Sequence, residues 1–131
     1  MQLGPAQVVF TGRAEGDLGH AGAWVEVHEV DAGVASRRRA VLDRPWSWLR
    51  QVHGDHVVIV EEPGAGAGEP GDALVTANPD AALAILTADC APVALASDEG
   101  VIAAVHAGWR GLVAGVVDRA VEAMGKLGAT D

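Results

Sequence analysis

The sequence predicts an α/β (α+β) layered fold, a mixed β-sheet with flanking helices, on three observations. Residues 81–88 and 92–96 are nearly continuous apolar runs, the pattern of strands buried on both faces. Residues 101–105 form a further short apolar run. The last third carries Leu112, Val113, Val116, Val117, Ala120, Val121 and Met124 at helical spacing, with Asp118, Arg119, Glu122 and Lys126 largely opposite. Many strands and few helices suit layers packed around a mixed sheet.

The remaining elements follow in order. Residues 8–10 read as a short strand closed by Thr11-Gly12, and residues 14–23, rich in glycine and polar groups, as loop. Residues 24–30 alternate apolar and polar, the period of a half-exposed strand. Residues 34–42 read as a short helix whose Arg37, Arg38 and Arg39 form a solvated face, interrupted by Arg44-Pro45. Trp46 and Trp48 flank a turn and cover the core. Residues 56–61 and 73–76 are strands, and the loop between them, 63–71, is too short to separate two domains. Gly125 and Gly128 are the stop signals of the last helix. All 131 residues read as one domain.

Nine basic against 18 acidic side chains give a net charge of −9, and Lys126 is the one lysine. Such a surface repels phosphodiester backbones and anionic lipid, which argues against nucleic-acid or membrane partners; a small anion held by one or two arginines remains compatible. The lone cysteine, Cys90, precludes an internal disulfide. The first ten residues have no basic segment leading into an apolar run, and no apolar stretch reaches membrane-spanning length. A reducing, cytoplasmic setting is the expectation.

Three chemistry-bearing residues share a context. His53 stands in Gln51-Val52-His53-Gly54, before a strand; Cys90 stands in Thr87-Ala88-Asp89-Cys90-Ala91-Pro92, between two strands; His106 opens Ala107-Gly108-Trp109-Arg110-Gly111 after a strand. Strand ends of layered α/β sheets are where ligands bind. Two imidazoles and a thiolate make a three-ligand zinc set with a fourth position open to water, whose pKa the metal lowers to about 7. The bland alternatives are a small core cysteine and two hydrogen-bonded histidines, and the wide spacing lacks the short ligand pairs of zinc fingers. Arg110 precedes the amphipathic helix, where free amides and a guanidinium attract phosphate, while Gly108 and Gly111 would let a ligand approach the backbone. An exposed arginine in a tight turn is the competing reading. His20 and His28 offer less, and His56 reads as a surface position close to His53.

These segments closely resemble the signatures of the YfiH-like purine nucleoside phosphorylase family, also called the laccase-domain or polyphenol oxidase family. The three motifs occur in the right order, with Asp72-Ala73 to Thr76 between the first two, and Phe10-Thr11-Gly12-Arg13 resembles the family's N-terminal strand more loosely. The resemblance runs from about residue 48 to residue 128. It implies a fold related to cysteine-hydrolase-like toxin domains and zinc held by His53, Cys90 and His106, the catalytic set. Gln51 and Arg110 become the substrate- and phosphate-binding candidates. It further implies phosphorolysis of adenosine, inosine and methylthioadenosine, together with adenosine deamination. Copper-dependent phenol oxidation is also attributed to the family, but it needs an electron reservoir that one isolated site does not provide.

Two departures bear on this expectation. The family is normally much longer, with a Gly-Pro-rich C-terminal part carrying further cysteines, so the chain reads as C-terminally shortened. Its usual Ser-Leu-Asn stretch is replaced here by residues 24–30. Two other classes therefore stand beside the purine nucleoside enzyme: a non-catalytic metal-binding or interaction module, and a metal-free thiol enzyme pairing Cys90 with a histidine base.

Overall fold

The structure, a computed structural model, describes residues 1–19 and 31–130. The proposed strand at residues 24–30, along with His20 and His28, lies outside the described residues.

The chain opens with a small antiparallel hairpin, β1 (Gln2–Leu3) and β2 (Ala6–Gln7), turning at Gly4 with φ 53°. The expected strand at residues 8–10 does not form. Val8 pairs back onto Met1, extending the hairpin, and Val9 and Phe10 are exposed, with no strand of the described residues paired to them. A single 3-10 turn, Arg13–Glu15, interrupts the expected loop.

Helix α1 (Ala32–Val41) starts where Asp31 accepts hydrogen bonds from the amides of Gly33 and Val34, an N-cap. Its three arginines are not one solvated face. Arg38 shares a stripe with Val34, and both are buried. Its Nε donates to the Leu18 carbonyl at 2.9 Å, while the guanidinium lies 4.9 Å from the Trp48 ring and 5.4 Å from Trp46. Burial lowers the Arg38 pKa below the usual arginine value. Cation–π contact offsets part of that desolvation. Arg37 reaches the Asp17 carbonyl, and Arg39 alone faces solvent.

Both tryptophans belong to strand β3 (Trp46–Arg50), not to a turn. Alternation along β3 sends Trp46 and Trp48 toward α1 and Leu49 to the opposite face. Strand β3 is the centre of a three-stranded parallel sheet, flanked by β5 (Glu69–Pro70) and β7 (Ala82–Ala84). A second sheet has the order β4 (Val57–Ile59), β6 (Ala73–Thr76), β9 (Ile102–Ala107), β8 (Ala91–Ala96). Here β4 and β6 run parallel, and β9 is antiparallel to both its neighbours.

The apolar run at 81–88 pairs only over β7. Beyond it the chain leaves β3, and Thr87 to Asp89 are exposed. The run at 92–96 forms β8, which is half-buried at most, since it ends the sheet among the described residues. Among the described residues, strand β6 is the one buried throughout, because both its faces are covered. Ala73 and Val75 pack with Val116, Ala120 and Met124, whereas Leu74 packs with Leu49, Val58 and Val60.

The final helical pattern is split into α2 (Trp109–Ala114) and α3 (Val116–Lys126) by Gly115, whose φ of 87° favours glycine. The left-handed residue reorients the chain. Val116, Ala120 and Met124 make the buried stripe, while Leu112, Val113 and Val121 stay exposed. Gly125 lies within α3, and the left-handed Gly128 follows its end. No helix among the described residues is long and apolar enough to cross a membrane.

Because Leu74 has no accessible surface and touches the layer opposite α3, Leu74→Ala is expected to lower stability by about 2–5 kcal/mol in urea denaturation. Val113, 82% exposed, should tolerate alanine with a change within about 0.5 kcal/mol.

Candidate metal centre

His106 is the buried member of the site. It lies inside β9, one residue before its end, opposite Pro92 of β8. Its amide donates to the Asp72 carbonyl at 2.7 Å, and its ring Nδ1 lies 2.8 Å from Asp72 Oδ1. An ionised carboxylate only accepts, so Nδ1 carries the proton and the Nε2 lone pair is left for another partner.

The same carboxylate shapes the segment that carries His53. Oδ1 also accepts from the His53 amide at 2.9 Å, and Oδ2 accepts from Gly54 at 2.8 Å and Val52 at 3.2 Å. His53 has φ 59°, left-handed, and is the one non-glycine residue so placed among the described residues. Such a conformation costs energy and persists where surrounding bonds over-determine it, here three amides closing on one anion. Its side chain is thereby sent to the outer side of His106, the rings meeting edge to face with centroids 4.9 Å apart.

Cys90 completes the group from the residue before β8. Its Sγ lies 3.7 Å from His53 Nε2, and the candidate ligand atoms of His53, Cys90 and His106 all fall within 4.8 Å of one another. A tetrahedral ion with bonds of about 2.0–2.3 Å spaces its ligand atoms by about 3.3–3.6 Å, so small side-chain movements bring all three onto one centre. Two imidazoles and a thiol are donors suited to a transition metal ion. Sequence positions 37 and 53 residues from the first ligand thus meet at one point.

Two glycines permit this convergence. A Cβ on Gly108 would stand 2.9 Å from His53 Cδ2 and 3.2 Å from Cys90 Sγ, and one on Gly111 would stand 2.8 Å from the Gly54 carbonyl oxygen. Close approach is therefore made by the chain's own ligands and loop, where the sequence suggested a bound molecule.

The other candidates take different places. The Gln51 amide is engaged at both ends with Leu86, its Nε2 donating to the carbonyl at 2.6 Å and its Oε1 accepting from the amide at 2.8 Å. It replaces the ladder that β7 abandons and holds the chain leading to Cys90. Arg110 is exposed in the first turn of α2, two residues past Gly108, with its guanidinium 5.3 Å from the Trp109 ring. His56 is exposed and supplies only its carbonyl to β6. Asp72 is the functional residue that sequence reasoning passed over. An ionisable residue directly before the buried strand Ala73–Thr76, apolar in its first three positions, was the available signal, since a buried carboxylate must be paired.

The chain is similar to known proteins in both sequence and fold. A purine nucleoside phosphorylase of Streptomyces griseus is 59% identical over 63% of this chain and 35% of its own length. One from Corynebacterium glutamicum is 40% identical over 95% of this chain and 56% of its own length. The chain thus spans about a third to just over half of these relatives. Among solved structures, the hypothetical protein YfiH of Bacillus licheniformis superposes with a TM-score of 0.64 at 25% identity, over 79% of this chain and 46% of that one. A Neisseria meningitidis protein superposes with a TM-score of 0.61 at 33% identity, over 79% and 47%. The family model described as multi-copper polyphenol oxidoreductase laccase matches residues 12–131, and the chain belongs to that family, the YfiH-like laccase-domain proteins.

Proposed function

We propose that this chain carries the zinc site of a purine nucleoside enzyme that cleaves adenosine, inosine or methylthioadenosine with phosphate and also deaminates adenosine. The observation that carries the reading is the meeting of His53, Cys90 and His106, drawn from three distant segments, within 4.8 Å. The purine nucleoside phosphorylases among its relatives supply the substrate class.

The residues divide the work as follows. Cys90 and the two imidazoles hold the ion, with His106 presenting Nε2 because Nδ1–H is bound by Asp72. Zinc held there would supply Lewis acidity and could activate water near neutral pH. In phosphorolysis a phosphate oxygen bonds to the ribose C1′ as the bond to the purine nitrogen breaks. In deamination a water oxygen bonds to C6 and ammonia leaves. Arg110, exposed two residues past Gly108, is a cation that can pair a phosphate bidentately in a protein of net charge −9. Gln51 serves by fixing Leu86, and through it the approach to Cys90, so that the sulfur stays within reach of His53. Reduced, cytoplasmic conditions would keep Cys90 available for such a site.

The family's description makes copper-dependent phenol oxidation the second reading, with the same three ligands holding the metal. Metal analysis of the purified protein separates the two. The purine reading expects about one zinc per chain, lost in His106→Ala.

Incubation with adenosine or inosine and phosphate is expected to release free base and ribose 1-phosphate, with inosine appearing from adenosine. Cys90→Ala should abolish these products; equal yields from the two proteins would reject the proposed catalysis. Arg110→Ala should raise the KM for phosphate by about 10–100-fold, the worth of a hydrogen bond to a charged group, with a smaller effect on the nucleoside KM.

A further inference from the structure

Asp72 is more than a partner of one ligand. Its Oδ1 accepts from both the His53 amide and His106 Nδ1, and its Oδ2 accepts from Val52 and Gly54. The residue itself is wholly buried at the head of β6, and its carbonyl accepts the His106 amide as well. One carboxylate therefore determines two quantities at once: which ring nitrogen of His106 is bare, and the left-handed turn that aims His53. A purely structural carboxylate would need neither the ring contact nor two metal-ligand residues on a single oxygen.

We propose that Asp72 is the positioning residue of the metal centre, coupling the His53 and His106 arms through its carboxylate so that both face one ion. This rests on the reading of His53, Cys90 and His106 as metal ligands. Asparagine has the same shape but cannot replace the carboxylate. Its amide nitrogen must face either Val52 and Gly54 or His53 and His106, opposing donors to donors at one pair. When it faces His106, that ring is pushed toward the other tautomer, with the proton on the nitrogen the ion needs.

The full chain and Asp72→Asn would be titrated with Zn²⁺ against a chromophoric chelator and with Co²⁺ followed by visible absorption. The variant is expected to bind Zn²⁺ about 10–100-fold more weakly. Its cobalt spectrum should keep the thiolate charge-transfer band while the d–d bands change. Leu74→Ala, which weakens the core beside Asp72 without touching the ligands, should retain the wild-type affinity and spectrum when folded. An Asp72→Asn protein that melts lower yet binds zinc within about twofold of the wild type, with an unaltered cobalt spectrum, would reduce Asp72 to a structural role and overturn the proposal. Wild-type protein that binds neither ion would reject the metal reading, and the coupling with it. Should the variant not fold, nitrogen NMR of the metal-free wild type decides. His106 protonated at Nδ1 supports the assignment, and His106 protonated at Nε2 refutes it.

Discussion

A buried anion organises this molecule. Taking a carboxylate out of water costs several kcal/mol even after relaxation, and the cost is offset only by well-aligned donors. Asp72 collects four, three from the backbone of residues 52–54 and one from His106. Each donor it recruits is then constrained. The backbone closes into a concave nest of amides around the carboxylate, His53 is held with a positive φ, and His106 is held in one tautomer. The placement of His53 and His106 thus follows from solvating a charge inside the protein.

For that charge to act, β6 must be fixed, and the layering does so. Leu74 is pinned from one side by Leu49, Val58 and Val60, while Ala73 and Val75 are pinned from the other by α3. The pairing of Ala73 with Val105 places Asp72 opposite His106, and a slip of one residue would turn His106 to the other face of the sheet. Small residues complete the fit where elements meet. With Gly111 against the Gly54 carbonyl and Gly108 against two ligands, α2 packs onto the nest, and any larger residue would force the ligands apart.

Much of this was legible in the residues. Strand β6 appears with the expected bounds at residues 73–76, α1 is displaced by two residues at its start, and His53, Cys90 and His106 were singled out together. What failed did so where composition hides partners. Arg38 looks solvated beside Arg37 and Arg39, yet two tryptophans, one on either side of Ser47, make a surface able to bury it. Residues 81–88 carry no signal that pairing stops after Ala84, because a side-chain amide from Gln51 takes over as ladder partner. Helical periodicity across Gly115 is real in register but not in space, since one left-handed residue redirects the apolar stripe. The coupling through Asp72 was invisible because it depends on strand pairing between β6 and β9, which no local pattern encodes.

The distribution of burial across the site gives the last constraint on its chemistry. His106 is sealed, Cys90 half-buried and His53 exposed, so the ligand set is graded from the protein interior to solvent. Were these three residues to hold a metal, the exposed His53 edge would be the side from which solvent and small molecules reach it. Trp109, next in the chain to Gly108, is 71% exposed, with Arg110 against its ring. An indole so exposed is a ready surface for a flat base, and the guanidinium beside it is a ready partner for an anion. The same backbone turn that brings Gly108 against His53 and Cys90 also carries both groups, so an exposed indole and a guanidinium follow the cluster within three consecutive residues.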